Sequence, residues 1–149
     1  MECVVDTNVL QKANAPFERI PRAGRQILKR VELLSRIKRG ELTILYSEKL
    51  MAEYRRNISQ PRNEFITAFF ALITSGQSAI HNWPSPWRAQ QLEARECRFP
   101  GEDDHVLRTA IRPDTSTIFS EEGRILSAAE CIFRRLRIRI VDPRTDPIP

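Results

Sequence analysis

Acidic residues stand at the places in this chain where chemistry is possible. Asp6 follows the apolar run Cys3-Val4-Val5, and Glu53 lies in a helix-forming stretch. Glu102, Asp103 and Asp104 form a cluster, and Glu121 and Glu122 follow Thr117 to Ser120. Carboxylates brought together repel one another, and some protonate unless a cation intervenes. A divalent ion removes the repulsion, and oxygen donors without His or Cys suit Mg²⁺ or Mn²⁺, hard ions that keep part of their water. Such an ion lowers the pKa of bound water and stabilises charge on a phosphoryl oxygen, the two requirements of phosphodiester hydrolysis.

Other chemistries have little raw material. His81 and His105 are the only histidines, which disfavours a His/Cys zinc site or a His-based triad. Cys3, Cys97 and Cys131 are odd in number and far apart, fitting neither a disulfide framework nor a CxxC site, so three reduced thiols are expected.

The elements that must carry the acids can be read from periodicity. An apolar strand ends just before Asp6. Ile27, Leu28, Val31, Leu34 and Ile37 mark an amphipathic helix from Ala23 to Arg39, stopped by Gly40. Leu42 to Tyr46 reads as a strand. Ser47 can cap a helix with Leu50, Met51 and Tyr54 on its apolar side, interrupted by Pro61. Phe65, Ala68, Phe69, Leu72 and Ile73 give the next helix, stopped by Gly76. His81 to Arg98 carries no periodicity that assigns an element. A helix follows Pro100 and Gly101, with Val106, Leu107, Ala110 and Ile111 inward. Thr117 to Ser120 is a strand, Ile125 to Phe133 a helix, and Ile138 to Val141 a last strand.

Strands alternating with helices imply parallel pairing through right-handed crossovers, hence an α/β sheet with helices on both faces. Ligand sites in such sheets form beyond the carboxyl ends of the strands, where Asp6 and the Glu121–Glu122 pair would sit. A helix that follows a strand starts at the same edge, which brings Glu53 and the 102–104 cluster toward it. At about 100° per residue, Asp103 falls mid-face with Val106, Leu107, Ala110 and Ile111 and Asp104 nearer the edge, making Asp103 the better candidate. Each acid has a plainer reading too: Glu53 as a solvated helix residue, Asp103 and Glu122 as charges at helix N-termini.

At 149 residues and 41% hydrophobic, the chain has the size and core of one domain, placed at 1–142, with a Pro-rich tail at 143–149. No stretch approaches the roughly 20 apolar residues of a membrane span and no secretory signal is evident, so a cytoplasmic protein is expected. Lys and Arg total 24 against 19 Asp and Glu, a net +5 that favours a polyanionic partner. Arg55, Arg56 and Arg62 lie close in sequence to Glu53 as candidate phosphate contacts, while Arg134, Arg135, Arg137 and Arg139 read equally as a charged exterior. Trp83 and Trp87 could stack on bases but are expected to cover a core edge.

Taken in order, VVDTNVL, SEKLMAEYRRNI, EDDHVLRTAI, TIFSEEGRIL and RIRIVDP resemble the PIN domain, a family of small metal-dependent ribonucleases that includes toxins of toxin–antitoxin pairs. The resemblance spans nearly the whole chain. It implies a three-layer α/β/α sandwich with a central parallel sheet of four or five strands. It also implies that Asp6, Glu53, Asp103 and Glu122 are the catalytic acids, with Asp6, Asp103 and Glu122 on Mg²⁺ or Mn²⁺. Glu122 departs from the family, where Asp is commoner in a Ser/Thr-x-Asp pattern. Thr7 and Asn8 either orient Asp6 or form a simple Asx-type turn. The expected function is endoribonucleolytic cleavage of RNA, with an antitoxin and a homodimer among the partners that the resemblance allows. The alternatives are a catalytically weak or inactive scaffold that binds RNA or a protein, and the same chemistry on DNA.

Overall fold

The computed structural model describes residues 1–16 and 25–145. Strand β1, Glu2–Val5, is central. Cys3, Val4 and Val5 have no exposed surface, as expected of a strand covered on both faces. Strands β2 (Thr43–Tyr46), β3 (Ala79–His81), β4 (Ser116–Phe119) and β5 (Ile138–Val141) complete an all-parallel sheet in the order β3-β2-β1-β4-β5. β1 pairs Cys3 with Ile44 on one side and with Thr117 on the other. The chain builds outward from β1 first toward β3 and then toward β5, so the order reverses between β1 and β4. That reversal opens a crevice at their carboxyl ends.

Eight α-helices lie among the described residues: α1 (Thr7–Ala13), α2 (Arg25–Lys38), α3 (Glu48–Asn57), α4 (Glu64–Ser75), α5 (Arg88–Glu96), α6 (Asp104–Thr109), α7 (Gly123–Ser127) and α8 (Ala129–Leu136). Together with the sheet they make the expected three-layer sandwich. α1 packs on α2 and α3, α2 on α4, α5 on α6 and α8, and α3 on α6. The core is aliphatic, with Tyr54, Phe69 and Phe119 as its largest fully buried rings.

Local chemistry explains most boundaries. The Ser47 hydroxyl accepts the Leu50 amide and caps α3. The Asn63 carboxamide accepts the amides of Phe65 and Ile66 to cap α4 and donates to the carbonyls of Ala13 and Ala15, tying α4 to the end of α1. Gly76 ends α4 at φ +73°, a left-handed conformation that suits glycine.

The unassigned stretch from His81 to Arg98 contains the end of β3, a loop with a cis Ser85–Pro86 bond, and α5. The helix expected over 125–133 is two: α7 ends at Ser127 and α8 begins at Ala129. Ala23 and Gly24, the expected start of α2, lie outside the described residues. Of the expected tail, Arg144 pairs with Asp142 and Glu121, and 146–149 lie outside the described residues.

One expectation is corrected. Cys97 and Cys131 form a disulfide across α5 and α8, with Cα atoms 5.6 Å apart, and only Cys3 is free. Their separation of 34 residues hides a pairing that follows from the packing of α5 on α8. Arg135 reinforces the contact through ion pairs with Glu93 and Glu96.

Candidate active site

The crevice between β1 and β4 is bridged by a side-chain contact between the residues that follow the two strands. Asp6 follows β1 and Ser120 follows β4, and the Ser120 hydroxyl donates to Asp6 Oδ2 at 2.8 Å. The Asp6 amide donates to the Phe119 carbonyl at 2.9 Å, which continues the β1–β4 ladder to that point. Asp6 also caps α1, since its Oδ1 accepts the Thr7 amide at 2.9 Å. Thr7 therefore opens a helix.

Two contacts hold α3 against the end of β1. The Tyr54 hydroxyl donates to the Val5 carbonyl, and the Thr7 hydroxyl donates to Glu53 Oε1. Glu53 Oε2 lies 2.6 Å from His105 Nε2, so the imidazole carries its proton on that nitrogen. His105 is 5% exposed and its Nδ1 is buried without a partner. The Thr109 hydroxyl donates to the His105 carbonyl at 2.6 Å and sits 2.8 Å from the Ser47 hydroxyl, which connects α6 to the start of α3. Sequence reasoning set His105 aside with His81 as too little for a triad or zinc site. Its place on the inward face of α6, one residue before Val106, was the signal that it would be buried beside the acids.

Asp103 ends a 3₁₀ turn, Gly101–Asp103, that leads into α6, and its carboxylate has no hydrogen-bond partner among the described residues. Asp104 is turned away to Arg95 and Gln91 on α5, and Glu102 to Arg124. Asp103 is thus the acid of this cluster left without a partner, from a position in the turn before α6 that the helical wheel does not describe.

The electrostatics tie three acids together. Burial, then the negative charges of Asp6, Glu53 and Glu102, push Asp103 up to about 6, against the opposing pull of His105. Asp6 is also raised, by burial first and by Glu53, while the Ser120 and Thr7 hydrogen bonds restrain it. Glu53 is lowered, chiefly by its hydrogen bond to His105 and also by that to Thr7, with burial opposing. Asp6 just after β1, Glu53 in the middle of α3 and Asp103 at the end of the 3₁₀ turn are far apart in sequence, yet burial and the charges of Asp6 and Glu53 act together on Asp103.

Glu122 is used differently. Its Oε2 accepts the Ile125 amide at 2.9 Å, capping α7, and its Oε1 accepts from Arg124 at 3.3 Å. The neighbouring Glu121 is fully buried on the Arg30 guanidinium at 2.5 and 2.6 Å, with Arg144 at 3.3 Å and Lys12 at 3.5 Å. Its amide donates to Asn8 Oδ1. The Ser120–Glu122 loop is thereby pinned, which keeps Ser120 on Asp6.

Among the described residues, no three His, Cys, Asp or Glu side chains are grouped so as to hold a metal ion. Asp6, Glu53 and Glu122 each have both oxygens engaged, and of the four acids Asp103 alone has a carboxylate without a hydrogen-bond partner among the described residues. Mg²⁺ is usually held by only one or two carboxylates together with water and substrate phosphate, so Asp103, together with Asp6, would hold such an ion. No family model, curated protein or solved structure matches this chain.

Proposed function

We propose that the chain is a Mg²⁺- or Mn²⁺-dependent endoribonuclease of the PIN-domain kind, with Asp6 and Asp103 as the metal-binding acids. The observation that carries the reading is the half-buried Asp103 carboxylate, left without a hydrogen-bond partner where burial and the charges of Asp6 and Glu53, from distant parts of the sequence, push its pKa up to about 6. Such an arrangement is costly for a fold and is the kind expected at functional sites. When bound, the ion supplies positive charge to a developing phosphoryl oxyanion and acidifies water.

The chain's own residues do the rest. Ser120 and Thr7 fix both oxygens of Asp6. His105 keeps Glu53 ionised, so Glu53 adds negative charge to the cleft without being free to move. Glu122 fixes the start of α7 rather than supplying a ligand. Arg55, Arg56 and Arg62, exposed at the end of α3 and beyond it, lie where a phosphate backbone could run past Glu53. A net charge of +5 favours the same class of partner. An antitoxin, a homodimer and a cytoplasmic setting belong to this reading.

The test is cleavage of matched RNA and DNA oligonucleotides with Mn²⁺. Wild type is expected to cut RNA and to melt at higher temperature with Mn²⁺. Asp6→Asn is expected to lose at least about 100-fold in rate, by loss of charge stabilisation, together with the Mn²⁺ stabilisation. Unchanged cleavage by Asp6→Asn would sink the assignment.

The commitment of both Glu122 oxygens favours a second reading, an inactive scaffold that binds RNA or a protein. That reading expects Mn²⁺ to leave the melting temperature of wild type unchanged.

A further inference from the structure

Trp83 is exposed and Trp87 half-buried, outside the cluster of buried residues that forms the core. Instead they hold an arginine. The Arg108 guanidinium carbon lies 4.1 Å from the Trp83 ring centroid and 5.3 Å from that of Trp87. Arg108 Nε donates to the Pro84 carbonyl at 2.9 Å, which fixes the plane of the guanidinium. Beside this stack is an open pocket of about 640 Å³, lined by Trp87, Arg88, Gln91, Leu92, Arg95 and Arg108 among others.

The chemistry of the lining is aromatic and cationic. Arg88 is exposed and, like Arg108, has no carboxylate partner among the described residues. Trp83, at 37%, and Leu92, at 57%, are exposed large hydrophobics. Trp87 is half-buried and lines a pocket with no acid among its lining residues, and Arg95 in its wall is paired with Asp104. A flat π-surface edged by unpaired guanidinium groups recognises a ligand that is flat and carries negative charge. Single-stranded nucleic acid is such a ligand, because every base has a π-face and every link a phosphate.

Position adds a second argument. Arg108 is on α6, five residues beyond Asp103, or about 7 Å along a helix axis. Asp104, next to Asp103, bonds Arg95 and Gln91 in the pocket wall. The pocket and the acid site thus share one turn of chain. We propose that this Trp87–Arg88–Arg108 pocket is a nucleotide subsite for single-stranded RNA. One base stacks on Trp87, and its phosphates meet Arg88 and Arg108. The proposal rests on the ribonuclease reading for its substrate but not for its test.

That test is binding without metal. A single-stranded RNA oligonucleotide titrated in EDTA is expected to quench tryptophan fluorescence. Trp87→Leu and Arg88→Glu are each expected to weaken binding about tenfold, the scale of one stacked base or a reversed contact charge. Arg88 opens α5, where Glu is favourable, so Arg88→Glu keeps the fold. Arg139→Glu, on the edge strand β5, is expected to change binding less than about twofold. Binding is read in EDTA, where no metal-dependent cleavage occurs, so loss of cleavage and loss of this subsite are read separately. Wild-type affinity in both Trp87→Leu and Arg88→Glu, or equal weakening by Arg139→Glu, overturns the subsite. An acidic peptide that competes better than the RNA also overturns it.

Discussion

At the residue scale, the site is defined by how five polar contacts engage three of the acids and leave the fourth without one. Ser120 and Thr7 hold Asp6, His105 and Thr7 hold Glu53, the α7 amide holds Glu122, and Asp103 is left half-buried without a partner. This has a consequence for stability in metal-free protein. Asp103 keeps its proton to about pH 6 when folded, whereas its ordinary value is 3.8. Between those values the folded state binds more protons than the unfolded one, so the contribution is full below 3.8 and is lost as pH rises through 6. Asp103→Asn removes the loss. In EDTA at pH 8 the variant is expected to be more stable than wild type by on the order of 1 kcal/mol, after allowance for solvent screening. Near pH 4 the two should converge. Thermal melts across that range check it, and a variant no more stable at pH 8 would show that the acids do not strain the fold.

At the element scale, the loop after β4 is the part that needs explaining, because it carries Ser120 but belongs to no regular element. Its anchor is the buried Glu121, which meets Arg30 from α2, Lys12 from α1 and Arg144 from the turn after β5. Desolvating such an ion pair offsets much of its Coulombic gain, yet removing one partner strands the other's charge in the interior. Glu121→Gln is therefore expected to cost about 3 kcal/mol in chemical denaturation. It should also lower cleavage without changing RNA binding in EDTA, since it loosens Ser120 and Asp6 rather than the Arg108 pocket. A loss below about 0.5 kcal/mol would mean that Arg30 finds solvent or another partner.

At the scale of the whole molecule, the Cys97–Cys131 disulfide closes a loop that contains α6, β4 and α7, and thus Asp103, His105 and Ser120. Cross-linking over 34 residues restricts the unfolded chain enough to contribute about 2–4 kcal/mol. The Cys97→Ser/Cys131→Ser double variant is expected to unfold at correspondingly lower denaturant, and dithiothreitol should bring wild type to the same midpoint. A midpoint that dithiothreitol leaves unchanged would show the thiols free. Disulfides of this kind persist in oxidising surroundings and are rare in the cytosol. Thiol trapping in cell extract would therefore report the compartment as well as the bond.

The sequence by itself determined the layered α/β architecture, because strand and helix periods alternate and parallel strands need crossovers. It also determined that Asp6 stands at a strand end and that Ser47 and Gly76 bound α3 and α4. These are local properties, fixed by neighbours within a turn or two. Tertiary structure alone decided which side chains meet. The pairing of Cys97 with Cys131, the burial of Glu121 on Arg30, the bond between His105 and Glu53, and the capture of Arg108 by two tryptophans all join residues far apart in sequence, apart from the close Trp83 and Trp87. Glu122 shows the limit from the other side. A carboxylate at the start of a helix has two good uses, ligand or cap, and local spacing is the same for both. What separates them is whether other donors surround the oxygen, and only the packed chain supplies those.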